Sequence, residues 1–499
     1  MSAKITRRRF LGAAAAGGAW IVMGGTLGCG PSPRARAVAA PARGEQPWAF
    51  RSRPEFRPPA VEVRTRARGT APGYVFVAPK KEPGAGGPTQ DAPLIVDNGG
   101  EPVWFHPLHG DAEKDAFNFG VQTYRGEAVL TWWEGHHTGF GQGEYVIVDR
   151  SYRENKRVSA GNGYEGDHHE FLITPQDTAL ITIYGGLPID LTSVGGPKDG
   201  TVLDGIVQEL DIESGEVLFE WHSLDHVGVE ESYWEPKADQ DGAYDYFHIN
   251  SVDVYDDDHL LISGRRTSTV YKVDRKTGEV LWRLGGKKSD FEMGPGARTD
   301  YQHDARHHPD GIVTIFDNGS VDTGEQSRGI VVALDEDAMS AKLVREYTHP
   351  AKMFSDTQGN VQVLPGGNVF VGWGSEPYFS EFSRDGRLLF DAHFPPELES
   401  YRAFRFRWNG HPREAPAVTA EPGKDDKVTL YVSWNGATDV DAWQVLAGGP
   451  DELEPVGSAP RKGFETALTI HTDESHVAVQ ATDGSGRVLG TSKTLKLGG

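Results

Sequence analysis

From Gly73 to about Trp408 the apolar residues fall into short runs of Val, Ile, Leu, Tyr, Phe and Trp separated by Asp-Gly, Pro-Gly and Thr-Gly turns, with little helical spacing. That pattern predicts an all-β protein of many short strands. A strand-turn-strand segment with Gly at the turn recurs at roughly 50-residue intervals, as DNGGEPVWF, DIESGEVLFEW, DRKTGEVLWRL and SRDGRLLFDAHF. Unit starts fall near Phe117, His169, His248, His303 and Gly359, and YVFVAPKK with APLIVDNGGEPVWF forms a first partial unit, which makes six. Six four-stranded units predict a six-bladed β-propeller over residues 73–410. A pair of β-sandwiches is the alternative, but sandwiches seldom repeat a motif this regularly.

Beyond Pro412 the composition shifts, and KVTLYVSWNGATDVDAWQVLAG, ALTIHT, HVAVQAT and VLGTSKTLKL alternate as short strands. Residues 415–499 are predicted to be a separate small β-sandwich of fibronectin or immunoglobulin type, expected to be dispensable for chemistry. Its His471 and His476 read as surface residues. At the other end, Arg7 and Arg8 precede Phe10 and Leu11 and a small-residue apolar run to Leu27, so residues 1–28 resemble a twin-arginine export signal. The alternative is an ordinary basic tail.

Cys29, the only cysteine, sits where that run ends, as the lipidation acceptor of a bacterial lipoprotein would; Thr26 stands where Leu is usual. The competing reading is cleavage near Val38-Ala39-Ala40. One cysteine allows no disulfide within the chain, so stability outside the cytoplasm must come from the core. Residues 29–72, rich in Pro, Ala and Arg, read as a tether and an irregular lead-in, with ordered structure expected from Gly73. The protein is therefore expected to be exported by the twin-arginine route to the periplasm or cell surface, with or without a lipid anchor, or secreted.

Charge narrows the partners. The 499 residues carry a net charge of −22, and loss of the leader, with Lys4, Arg7, Arg8 and Arg9 and no acid, takes it to −26. Such a surface repels nucleic acid and anionic membranes. An anionic substrate needs a pocket that reverses the sign within about one Debye length, ~10 Å.

Several motifs fail on spacing. His168-His169-Glu170 lacks the second histidine of a zinc-protease helix, the Gly-Gly-Lys-Lys-Ser near Gly285 lacks the first glycine of a phosphate loop, and Asp256-Asp257-Asp258 reads as a solvated turn. Trp132 and Trp133 read as core. The histidines are different. HEFLITPQDTALITIY, HINSVDVYDDDHLLIS and HDARHHPDGIVTIFDN share one layout, so His169, His248 and His303 occupy one repeat position and are expected to converge on the propeller channel. Three imidazoles there could bind a divalent metal or transfer an anionic group. Arg265, which with Arg266 closes the strand that His248 opens, favours an oxyanion over a cation.

At these residues the sequence resembles the arylsulfotransferase family, the bacterial aryl-sulfate sulfotransferases that use no nucleotide donor. The resemblance covers about residues 50–410 and rests on HHEFLITP, FHINSV, SGRRTSTVYKVD, GEVLWRLGGKKSDF and QHDAR. It implies a six-bladed propeller that moves a sulfuryl group between phenols, with small aryl sulfates and phenols as partners and no cofactor or metal. It also implies a transiently sulfated histidine at His303, sulfate-binding His248 and Arg265, and a further site histidine at His169, with His168, Asn250 and Arg266 as substrate-binding candidates. A neighbouring protonated imidazole must donate to the leaving phenolate, and Asp304 is expected to help fix the local geometry. Turnover is expected to fall below a His-like pKa of about 6.5. The rival readings are a metal-dependent propeller lyase or hydrolase using His169, His248 and His303, and a non-catalytic cell-surface binding propeller.

Overall fold

A computed structural model describes residues 46–81, 86–108, 114–137, 139–236, 242–320 and 324–497; the twin-arginine stretch and Cys29 lie outside them. Among the described residues, six antiparallel sheets follow one another around a closed ring. Blade 1 comprises Asp115–Tyr124, Glu127–His137, Gly141–Val148 and Glu154–Val158; blade 2, Asp167–Ile173, Thr178–Ile189, Gly200–Asp211 and Val217–His222. Blade 3 comprises Ile249–Asp256, His259–Gly264, Thr269–Asp274 and Val280–Gly285; blade 4, His303–His308, Ile312–Asp317, Arg328–Asp335 and Ser340–Thr348. Blade 5 holds Asn360–Val363, Val369–Gly372, Tyr378–Phe382 and Leu388–His393. In these five the first strand is innermost and touches the first strands of its neighbours.

The ring closes where the chain returns. Blade 6 takes its innermost strand, Ala403–Phe406, from the far end of the propeller and pairs it with Tyr74–Val77, which continues through Leu94–Val96 to Pro102–Phe105. Tyr74 faces Phe406 and Val77 faces Ala403. Closure of this kind joins the two chain ends of the propeller by main-chain hydrogen bonds.

Apolar clusters fill each gap between blades. Period-2 strand geometry sends adjacent side chains to opposite faces, so Trp132 packs against blade 6 while Trp133 packs against blade 2, and Leu260 and Leu261 divide between blades 2 and 4. The Trp pair is core, as expected, and Asp256, Asp257 and Asp258 are exposed.

Order begins before Gly73. Glu62–Thr65 adds an outer strand to blade 5 through Leu388–His393, and ahead of it Phe50 and Phe56 are buried against Phe464. A strand added to an edge is held by main-chain bonds and needs no apolar period, which is why the lead-in looked irregular. Beyond the propeller, one sheet of Ala417–Pro422, Lys427–Ser433 and Glu465–His471 and a second built on Leu453–Pro460, Ala442–Gly448, His476–Thr482 and Val488–Thr491 share a core of Leu430, Val432, Trp443, Val445 and Val479. This unit is fastened to the propeller. Asn435 takes the Phe105 N–H and donates to the Phe105 carbonyl, both at 2.9 Å, and Tyr152 donates to the Gly436 carbonyl at 2.7 Å. His471 is exposed and His476 half-buried.

Candidate active site

The innermost strands of blades 2, 3 and 4 start beside one another, and each has a register shift at its beginning. Bulges re-aim side chains. Here they accompany left-handed backbone at His248 (φ 53°) and Asp304 (φ 55°), a conformation that costs energy in non-glycine residues and clusters at functional sites. Two of the three repeat histidines meet directly, His169 and His248 with ring centroids 5.0 Å apart, and His168 stacks on His169 at 4.0 Å. Tyr401, fully buried, stands edge-on to His168 and His169 at 5.6 Å and to His303 at 6.4 Å.

Each of the three repeat histidines has Nδ1 tied to a side-chain oxygen. His169 pairs with Asp167 and His248 with Asp245, whereas His303 Nδ1 lies 2.7 Å from Asn318 Oδ1. The Asn318 amide donates to the carbonyls of Ser355 and Gln358 at 2.9 and 3.0 Å, so its oxygen faces the ring and Nδ1 must carry the proton. The other ring nitrogen, Nε2, then holds a lone pair, and the Gln358 N–H donates to it at 3.2 Å. Two independent contacts thus fix one tautomer.

Burial sets the charge. It holds His303 well below the usual imidazole range, with the Arg265 cation acting in the same direction. Burial also pushes His248 down to about 4 against the opposing pull of Asp245, and pushes His168 well below its ordinary value, helped by His169. These rings are neutral at pH 7 in the free protein. Depth of burial thus overrides the free-residue value of about 6.5 for these imidazoles.

Arg265 is buried beside this group. Its N–H donates to the His248 carbonyl at 2.9 Å, and its guanidinium lies over the Tyr301 ring and donates to the Asp356 carbonyl at 2.8 Å. Arg266 leaves in another direction, its guanidinium carbon 3.9 Å from the centre of the Trp234 ring. Asn250 does not join the histidines by its amide. It donates to the Gln302 carbonyl of the next blade at 2.7 Å, as Asn360 does to Ala403 at 2.9 Å.

Below the rings lies an ionic network. Glu170 receives Arg402 at 3.0 Å and Arg306 at 2.5 Å, while Asp304 receives Arg306 at 2.8 Å and Arg402 at 3.3 Å. Asp304 also accepts the Val361 N–H at 3.0 Å, and Arg402 donates to the Asn250 carbonyl at 3.1 Å. These four charges tie blades 2, 3, 4 and 5 to the segment entering blade 6, so Asp304 fixes geometry as anticipated. Asp167, Asp245, Asn318, Tyr401 and Arg402 were missed by sequence reasoning. The available signal was proximity: Asp167 and Asp245 lie within three residues of a repeat histidine, and Asn318 closes the block that His303 opens.

Metal binding by the three repeat histidines finds no geometric support. Among the described residues the donor atoms that gather within 4.8 Å belong to Asp167, His168 and His169. The Asp167 carboxylate there already accepts N–H groups from Gly141 at 2.6 Å and His169 at 3.0 Å. Gly141 has to be glycine, since a Cβ would stand 2.7 Å from Trp133 and 2.8 Å from the His168 nitrogen.

A family model for arylsulfotransferase (ASST) matches residues 120–395, more than half of the chain. The chain belongs to the arylsulfotransferase family. The matched span contains every histidine and arginine of the site except Arg402. Among curated proteins none matches this arylsulfotransferase-family sequence. Solved structures similar to it include a protein of unknown function from Bacteroides caccae (14% identity, 67% of this chain and 98% of that one, TM-score 0.41). They also include a catalytically inactive virginiamycin B lyase from Staphylococcus aureus with quinupristin (7%, 75% and 97%, 0.34) and the Myceliophteria thermophila Cps50 (Swd1) β-propeller domain (12%, 62% and 97%, 0.32).

Proposed function

We propose that this member of the arylsulfotransferase family transfers a sulfuryl group from an aryl sulfate to a phenol through a sulfohistidine at His303. One observation carries the reading: of the three equivalent imidazoles, two are backed by carboxylates and one by a neutral amide. A carboxylate stabilises an imidazolium and suits a proton carrier, whereas an amide orients the ring without charging it and suits a nucleophile. His303 Nε2 forms the bond to sulfur as the sulfur–oxygen bond to the aryl group breaks. The Gln358 N–H has to release the lone pair as sulfur approaches, and is then placed to donate to a sulfuryl oxygen.

The departing phenolate takes a proton from His248 or His169. His248 is neutral in the free protein, but an anion beside it favours its protonated form, so substrate entry brings the proton with it. In the second half-reaction the acceptor phenol gives its proton back to that base, its oxygen bonds to sulfur, and the nitrogen–sulfur bond breaks. Arg265 opposes the charge on the sulfuryl oxygens. Protein mixed with an aryl sulfate and no acceptor should release a burst of one phenol per chain; His303→Ala should give none, and steady release with no burst would contradict a covalent intermediate.

Two further parts of the reading concern the chain ends. Arg7 and Arg8 direct twin-arginine export, with Cys29 the lipid acceptor, and the C-terminal pair of sheets is a fibronectin- or immunoglobulin-like sandwich. The two-sheet pairing around one core supports the second.

A further inference from the structure

Arg266 is more than nine-tenths buried, its Nε has no hydrogen-bond partner, and among the described residues no carboxylate oxygen comes within ion-pair distance of its guanidinium. A buried cation left in this state is costly unless something completes it. The negative group whose field it shares is Asp245, already committed to His248. One face of the guanidinium is covered by Trp234, whose ring remains 44% exposed, with Tyr233 beside it equally exposed. The backbone that carries this pair is fixed: the Tyr233 N–H donates to the Arg266 carbonyl at 2.8 Å, and the Trp234 carbonyl accepts from the Tyr244 hydroxyl. Lys287 adds a second cation over the Tyr233 ring at 5.1 Å.

The place of this group relative to the histidines is equally specific. Main-chain bonds join Arg265 to the His248 carbonyl and Arg266 to the Phe247 carbonyl, and from this one turn the Arg265 guanidinium goes to Tyr301 and the Asp356 carbonyl and the Arg266 guanidinium to Trp234. Arg265 acts on His303, and Arg266 acts on Tyr184 and Asp245. Tyr184 in turn lies 5.6 Å from His169 and 6.0 Å from His248. An aromatic ring whose sulfuryl group sits at His303 and Arg265 therefore has a second guanidinium, covered by Trp234, close to Asp245, the carboxylate that backs His248.

We infer that Arg266 and Trp234 form a second recognition point for an aromatic substrate that carries a further acidic substituent, a carboxylate, on its ring. The Trp234 and Tyr233 faces take the apolar part of the ring, and the Arg266 fork, whose Nε is buried without a partner, takes the carboxylate in two parallel hydrogen bonds. This rests on the sulfuryl-transfer reading for the placement of the ring but not for the anion site itself. It makes the substrate class dianionic and explains two adjacent arginines where one suffices for a sulfate.

Equilibrium binding of unreactive analogues to the full chain tests it, using benzenesulfonate, 4-carboxybenzenesulfonate and benzoate. The unaltered protein should bind the carboxylated sulfonate about tenfold more tightly than benzenesulfonate, the gain of one charge-assisted bidentate contact. In Arg266→Gln the ratio of the two affinities should fall to near one, and in Arg266→Lys, which keeps charge and loses the fork, to an intermediate value. Trp234→Ala should lower the affinity for benzoate. An unaltered protein without the preference, or a ratio unchanged in either Arg266 variant, overturns the inference, and turnover of a plain aryl sulfate in that same protein would leave the transfer reading standing. If benzoate binds in an Arg266-dependent way while no aryl sulfate is turned over, the anion site stands and the transfer reading falls.

Discussion

Replacing Glu170 by Gln tests whether the buried ionic network holds the histidines in place. Glu170 is 3% exposed and takes hydrogen bonds from Arg306 and Arg402, which it shares with Asp304. Glutamine keeps the size and removes the charge, leaving Arg306 and Arg402 to share Asp304, with Asp253 a more distant partner of Arg306 at 4.0 Å. Breaking a buried charge set in this way costs about 3–5 kcal/mol. Arg402→Met should cost a similar amount, since it leaves Glu170 and Asp304 with only Arg306. The double variant restores balance with one acid pair fewer, Arg306 facing Asp304, and should cost less than the sum of the singles by about 1–3 kcal/mol. Urea unfolding of the full chain at pH 7.5 measures all three. Single costs below about 1 kcal/mol that simply add would refute the network as a tie between blades.

Acid should destabilise the protein through His248, whose folded value of about 4 lies below the ordinary 6.5. The unfolded chain binds the extra proton first, so this contribution is complete above pH 6.5 and falls by about 3 kcal/mol as pH drops to 4; His248→Gln should flatten that part of the stability profile. Turnover by the folded protein should hold well below pH 6.5 before failing, and a half-loss at pH 6.5 would show that His303 is not buried in solution as described. Arg7→Lys with Arg8→Lys should strand precursor in the cytoplasm, and mature protein still appearing outside would contradict the export reading. Truncation after Pro412 removes Phe464 and Asn435 from the propeller, so the melting temperature should fall, while transfer persists in the folded remainder; complete loss of transfer from a still-folded protein would show that the C-terminal unit serves the site.

The three histidines were legible because they share one place in a repeat, and equal places in equal blades are neighbours around a channel. His169 and His248 meet for that reason, and His303 shares the Tyr401 ring with His169. Their backing groups were not legible, since Asn318 reaches His303 across 15 residues and carries no periodic signal. The closing strand Ala403–Phe406 was hidden in the same way, because its partner Tyr74–Val77 lies at the other end of the propeller. Asn250 is a different case. It is a substrate-binding candidate by the family resemblance, and its amide nitrogen bonds the Gln302 carbonyl of the neighbouring blade, a contact that the sequence around His248 does not signal. Charge on the rings was hidden too, because burial to this depth comes from strands distant in sequence.

The central claim is a covalent sulfuryl group on His303. The full chain incubated with an aryl sulfate alone, digested under conditions that spare the nitrogen–sulfur bond and read by mass spectrometry, should yield the QHDAR peptide heavier by one sulfuryl group at His303. Addition of a phenol should discharge it, Arg265→Lys should form it slowly, and His303→Ala should form none. Consumption of the aryl sulfate with no histidine labelled would contradict the account.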